Sequence, residues 1–146
     1  MTEEINFYSR KTDYGWLSNF ERASQIVGEF TYPTNEHFYQ AHKALHKDVQ
    51  KWIREAPSPH LAMKAGRSLR PHEMNPRWDA MKLNIMLLGL RAKFAQNFEL
   101  QKKLLATGDA VLHEDSPTDM FWGKKGQDWL GKLLMQVREE IRDGRK

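Results

Sequence analysis

The chain has 146 residues, 23 Lys and Arg against 19 Asp and Glu, and no cysteine. Its 40% hydrophobic content, with five Trp, seven Phe and four Tyr, excludes disorder and low complexity. The missing cysteines exclude a disulfide framework, a thiol nucleophile and a zinc ribbon. At this length one compact core is expected, so residues 1–146 read as a single domain.

No apolar run approaches the roughly 18 residues of a membrane span. The acidic start Met1-Thr2-Glu3-Glu4 lacks the basic region of a signal peptide. The expectation is a soluble, cytoplasmic protein with no membrane partner. Charge is uneven: residues 1–56 carry net −1 and residues 57–146 net +5. No basic run exceeds two residues, which argues against a nucleic-acid tail. The excess suits a phosphate-bearing small ligand and equally an ordinary solvated surface.

In chain order, Ile5-Asn6-Phe7-Tyr8 reads as a short strand, followed by the turn-rich Thr12-Asp13-Tyr14-Gly15. Gln25 to Tyr32 reads as strand residues broken by a turn near Gly28, and Pro33 ends it. From about Asn35 the spacing of Phe38, Ala41, His42 and Leu45 predicts a helix, with Glu36, Gln40, Lys43 and Lys47 on the opposite stripe. Ser58-Pro59 is a cap and first-turn proline opening a helix to about Arg67, and Asn75-Pro76 repeats the signature.

The helix after Pro76 carries one apolar stripe through Trp78, Met81, Ile85, Leu88, Ala92 and Ala95, and another through Leu83, Leu87, Leu90 and Phe94. The stripes lie about 200° apart, so this helix is expected to be sandwiched at the centre of the fold. A further helix spans about Phe98–Ala106 and stops at Gly108. Leu112 lies in a short strand, and residues 114–127 form a loop. The last helix buries Leu130, Leu133, Leu134, Val137 and Ile141. Strands and helices segregate, which argues a mostly helical α+β fold.

The usual chemical signatures are missing. His42 and His46 stand four apart, but no His-Glu-x-x-His arrangement completes a metal site, and none is expected. There is no Gly-x-Ser-x-Gly elbow, phosphate loop or dinucleotide fingerprint. What remains is carboxylates and tryptophans at helix starts and in loops. Glu36 opens a helix, where exposed backbone donors favour an anion; it is either a plain first-turn Glu or a functional one. Asp119, Phe121 and Trp122 sit beside Gly123 in the glycine-rich loop, either folded back on the core or lining a site. Trp78 lies on a core stripe. Lys43, Arg67 and Arg91 are each a solvated charge or a phosphate clamp. Together they suit a flat, polar, phosphorylated ligand.

The ordered series of motifs is more specific than any one. It runs Tyr14-Gly15-Trp16-Leu17-Ser18-Asn19-Phe20, Glu36-His37-Phe38-Tyr39-Gln40-Ala41-His42-Lys43, Ala65-Gly66-Arg67, Arg77-Trp78 and Leu105-Ala106-Thr107-Gly108. It closes with Asp119-Met120-Phe121-Trp122-Gly123 and Leu130-Gly131-Lys132-Leu133-Leu134-Met135. This series resembles the YbiA-like (NADAR) family over nearly the whole chain. The resemblance implies a small α+β domain that cleaves N-glycosidic bonds without a cofactor. Family substrates include a phosphoribosylamino-pyrimidine of riboflavin synthesis and ADP-ribosylated guanine bases, so ADP-ribosylated nucleic acid is a further expected partner.

By position, Glu36, Trp78, Asp119 and Trp122 correspond to the family's active-site set, with Asn19, Lys43, Arg67 and Gly123 in the pocket. The expectation is that Glu36 and Asp119 converge on one cleft, with Glu36 activating water or stabilising the ribosyl cation and Asp119 transferring a proton or positioning ribose. Lys43 as a nucleophile forming a Schiff base is the rival mechanism. A non-catalytic reader of ADP-ribose and a structural interaction module are the alternative functions. One departure stands out: Asp128 occupies the position where the family often has Asn. That exchanges an amide donor for an acceptor-only carboxylate.

Overall fold

The computed structural model describes residues 3–9 and 12–144; Met1 and Thr2 of the acidic start lie outside the described residues. The fold is α+β with a helical majority, as the segregated pattern predicts. By backbone contacts the chain divides into two units. One takes residues up to Glu21 together with those from Asn97 onward; the other is Arg22–Gln96. Among the described residues no helix is long and apolar enough to cross a membrane.

In the first unit, β1 (Glu4–Phe7) pairs in parallel with β4 (Val111–Glu114), Phe7 opposite Glu114. The strand β1 alternates exposed and buried residues, the period-2 signature of a half-covered sheet. A single 3₁₀ turn, Gly15–Leu17, follows β1. Later come α5 (Phe98–Ala106) and α6 (Trp129–Gly144). The last helix buries Leu130, Leu133, Leu134 and Val137 on the expected stripe and packs on β4; Ile141 is half-buried. The helix α5 begins and ends at the expected residues, and Gly108 follows at φ +61°, the left-handed conformation a helix stop requires.

In the second unit, β2 (Gln25–Val27) and β3 (Phe30–Tyr32) form a hairpin turning at Gly28, φ +65°. Then come α1 (Asn35–Lys43), α2 (Lys47–Arg54), α3 (Pro59–Arg67) and α4 (Trp78–Gln96). The core gathers Tyr32, Phe38, Ala41, Ile53, Ala62 and Ala65. The side-chain amide of Gln96 both accepts from the Ile26 N–H and donates to its carbonyl, each at 2.7 Å, which ties β2 to the end of α4. The caps follow sequence: Ser58 Oγ accepts from Leu61 N–H at 3.1 Å, with Pro59 in the first turn.

Two expectations are corrected. The helix opening at Asn35 stops at Lys43, so Leu45 is 45% exposed outside it and Lys47 begins a separate helix, α2. Along α4 one broad buried face takes in Met86, Gly89 and Lys93 with Leu90 and Phe94 of the second expected stripe, while of the first only Trp78 is buried, Leu88 is 44% exposed and Ala95 is exposed. Lys93 has no exposed surface at all.

Helix α1 is enclosed by α2, α3, α4 and β3, and every residue from Asn35 to Ala41 is buried. Its start is fixed by Thr34, whose Oγ1 accepts from His37 N–H at 3.2 Å. His37 Nε2 donates to the Ala56 carbonyl at 2.9 Å, so its Nδ1 accepts from the Thr34 hydroxyl at 2.8 Å. Burial lowers the His37 pKa, which favours this neutral tautomer. Thr34→Ala removes the cap and strands a buried ring nitrogen, so a loss of about 1–2 kcal/mol is expected. The shift of the urea midpoint measures it.

Candidate active site

In the second unit Glu36, Lys43 and Arg67 come together. Glu36 lies in the first turn of α1, 7% exposed, and Gln40 Nε2 donates to its Oε2 at 2.8 Å. Gln40 is in turn seated against Gly66 of α3, where a Cβ would fall 1.9 Å from Gln40 Oε1. The glycine of Ala65-Gly66-Arg67 thus lets α3 approach closely enough to hold the amide that holds the carboxylate. Lys43 stands two turns further along the same face. Burial lowers its pKa below the ordinary lysine value; Arg67 and Lys82 push the same way, while Glu36 and Asp79 push back. A half-buried amine with a lowered pKa, near a carboxylate and two cations, can bind an anion or act as a nucleophile.

Trp78 opens α4 but is only 5% exposed, its ring 5.0 Å from that of Tyr39 on α1. The indole supports Tyr39, beside Glu36 in the helix order, more than it offers a free face. His42 Nδ1 donates to the Phe38 carbonyl at 2.7 Å, and burial lowers its pKa. With α1 ending at Lys43, His46 stands outside that helix, and no group of three possible metal ligands occurs among the described residues. A groove of about 570 Å³ between α2 and α3, walled by Trp52, Pro57 and Leu61, includes none of the expected site residues.

The first unit holds Asn19, Asp119, Trp122 and Gly123. Asn19 is buried just after the 3₁₀ turn. The loop after β4 is tightly hydrogen-bonded. Ser116 Oγ accepts from Asp119 N–H at 3.1 Å, and Asp119 Oδ1 accepts from Phe121 N–H at 3.0 Å and Trp122 N–H at 2.9 Å. That is a side-chain-capped turn, in which the carboxylate substitutes for a backbone acceptor. Phe121 and Trp122 meet edge to face at 4.7 Å, and both stay half-buried. Gly123 is buried where a Cβ would fall 2.4 Å from the Asp119 carbonyl and 2.9 Å from Glu114 Oε2.

Asp128, the departure from the family pattern, adopts φ +56°, a left-handed conformation that Asp and Asn tolerate. Its Oδ2 lies 2.5 Å from His113 Nδ1, within hydrogen-bond distance. The sequence reading passed over Glu114, whose pKa is raised to about 7, chiefly by burial and further by Asp119, Asp115 and Asp128, against a hydrogen bond from the Ser116 backbone. No local pattern marks it; only the folding of the loop over the end of β4 removes its water.

Comparison with known proteins finds relatives over nearly the whole chain. The NADAR domain family model matches residues 6–142. N-glycosidase YbiA of Escherichia coli (strain K12) is 42% identical over 141 residues, covering 94% of this chain and 88% of that protein. The chloroplastic riboflavin biosynthesis protein PYRR of Zea mays is 37% identical over 158 residues, covering 96% of this chain and 25% of that one. The NMR structure of the E. coli protein YbiA matches with a TM-score of 0.90 and 40% identity, over 99% of this chain and 89% of that chain. A family model spanning all but the ends, and a fold shared at this identity, make the chain a member of the NADAR domain family.

Proposed function

We propose that this chain, a hydrolase of N-glycosyl bonds, cleaves the bond between C1 of a ribose and the nitrogen of a base, the ribose bearing a phosphate or the diphosphate of ADP-ribose. The observation that carries the reading is Glu36, a buried carboxylate held by Gln40 with Lys43 two turns on, in a chain whose relatives are named N-glycosidases. As the C–N bond breaks, its electron pair leaves with the base nitrogen, and positive charge develops at the anomeric carbon. Glu36 stabilises that charge or takes a proton from the attacking water; a positioned carboxyl group contributes typically ~10²–10⁴-fold. Water is the only co-reactant, and no cofactor is called for.

Trp122 supplies a face for the base at about 1–3 kcal/mol, and Asp119 fixes the turn that carries it. Lys43, Arg67 and Lys82 supply positive charge for phosphate. A phosphoribosyl-pyrimidine of riboflavin synthesis fits that charge and the naming of the maize relative. An ADP-ribosylated base, free or in nucleic acid, fits the same groups.

The lowered pKa of Lys43 favours a second route, in which its amine attacks C1, the base departs, and the sugar opens to a Schiff base that water hydrolyses. The test offers a phosphoribosylaminopyrimidine and ADP-ribosylated guanosine to the protein and assays free base. Release establishes the hydrolase; binding of ADP-ribose without release of base from either would make the protein a reader. Borohydride added during turnover divides the routes. Direct hydrolysis leaves the mass of the protein unchanged, whereas a reduced sugar adduct that Lys43→Arg abolishes establishes the covalent one.

A further inference from the structure

Asp119 is committed to its turn: two backbone N–H groups, of Phe121 and Trp122, donate to its Oδ1 and hold the carboxyl against the loop backbone. The neighbouring carboxyl is held differently. Glu114 ends β4, and its carboxyl accepts a hydrogen bond from the Ser116 backbone, yet its Oε2 is buried without a partner under Gly123. A buried, unpaired oxygen is costly for a carboxylate and much less so for a carboxylic acid. The charges bearing on it are Asp119, Asp115 and Asp128, all of the same sign. The nearby donors are engaged elsewhere: Lys124 Nζ donates to Asn6, and His113 faces Asp128.

Resting on the glycosidase reading, we propose that Glu114 is the proton donor to the departing base, at the strand end from which the loop carrying the indole of Trp122 departs. As the ribosyl C–N bond breaks, the carboxyl proton passes to the base nitrogen that receives the electron pair. Water adds to C1 and releases its own proton to solvent. Exchange with solvent then returns Glu114 to the acid, so the sum is riboside plus water to free base plus ribose. Glu114 is half-buried, not sealed, and its terminal torsion is broad and two-fold, which lets either oxygen present the proton. A donor acts while protonated, and with a pKa of about 7 the supply is full below neutrality and lost as pH rises through that value.

The test measures kcat against pH for the wild type, Glu114→Gln and Glu114→Asp on whichever probe the wild type cleaves, with thermal melts of each. The expected result is a wild-type rate that falls above about pH 7. The Gln variant loses about 10²–10⁴-fold in kcat together with that alkaline limb, and the Asp variant keeps a limb at a displaced pH. A Gln variant that folds and turns over within tenfold of the wild type, or that keeps the same limb, overturns the assignment. If the Gln variant fails to fold, an Asp variant with the wild-type rate and an unmoved limb overturns it equally. A wild type inactive on every probe sinks the glycosidase reading instead, which separates the two failures.

Discussion

Replacing Glu36 by Gln is expected to lower turnover by about 10²–10⁴-fold while the melting temperature stays within a few degrees of the wild type. The substitution keeps the volume of a side chain that is 7% exposed, and the new amide oxygen still accepts from Gln40 Nε2. What it removes is the charge. On the proposed function that charge stabilises the ribosyl cation or takes a proton from water; it also acts on Lys43, where Glu36 is one of two carboxylates favouring the ammonium. The variant therefore lowers the Lys43 pKa further, and reaction of the amine with an electrophilic probe should extend to lower pH. Steady-state release of base decides the matter: undiminished kcat in a folded Glu36→Gln protein would remove Glu36 from the chemistry.

Much of the fold was legible because local and tertiary demands agree. Ser58-Pro59 caps α3, Gly108 stops α5, and the stripe of α6 faces β4. The boundary after α1 was not legible, because nothing local breaks the helix there. His46 caps α2 without a side-chain hydrogen bond. The break is made by distant backbone: Leu45 N–H donates to the Glu73 carbonyl, Asn75 N–H to the Lys43 carbonyl, and Ala44 bridges Met74. Amphipathicity failed on α1 for a related reason, since a helix enclosed by three others has no solvent stripe to mark.

Motif order singles out Glu36 and Asp119, and the structure supplies the hydrogen-bond partners of each. Glu114 could not be found that way. Its raised pKa comes from burial under the loop that covers it, and a loop of Ser, Pro, Thr and Asp reads as solvated until its hydrogen bonds are known.

Gly131→Ala is expected to cost about 2–4 kcal/mol, although alanine is the better helix former by about 1 kcal/mol. Gly131 is buried on α6 where the helix crosses β4, and a Cβ there would lie 2.0 Å from the Leu112 carbonyl oxygen and 2.9 Å from its carbon. Neither side gives easily. Leu112 sits mid-strand opposite Ile5 of β1, and Leu130, Leu133 and Leu134 fix the helix from the same face. Asp128 Oδ1, 3.0 Å from the added methyl, is already without a hydrogen bond. For a chain of this size the loss corresponds to a fall of roughly 10 °C in melting temperature. Gly144→Ala, at the other end of α6 where a Cβ meets nothing within 4 Å, is the control and should leave the melt near the wild type. If the two variants melt together, close approach of α6 to β4 is not what position 131 protects. If only Gly131→Ala falls, the glycine of the Leu130-Gly131 motif is kept for packing, and loss of turnover in that variant follows from displacing the strand that ends in Glu114.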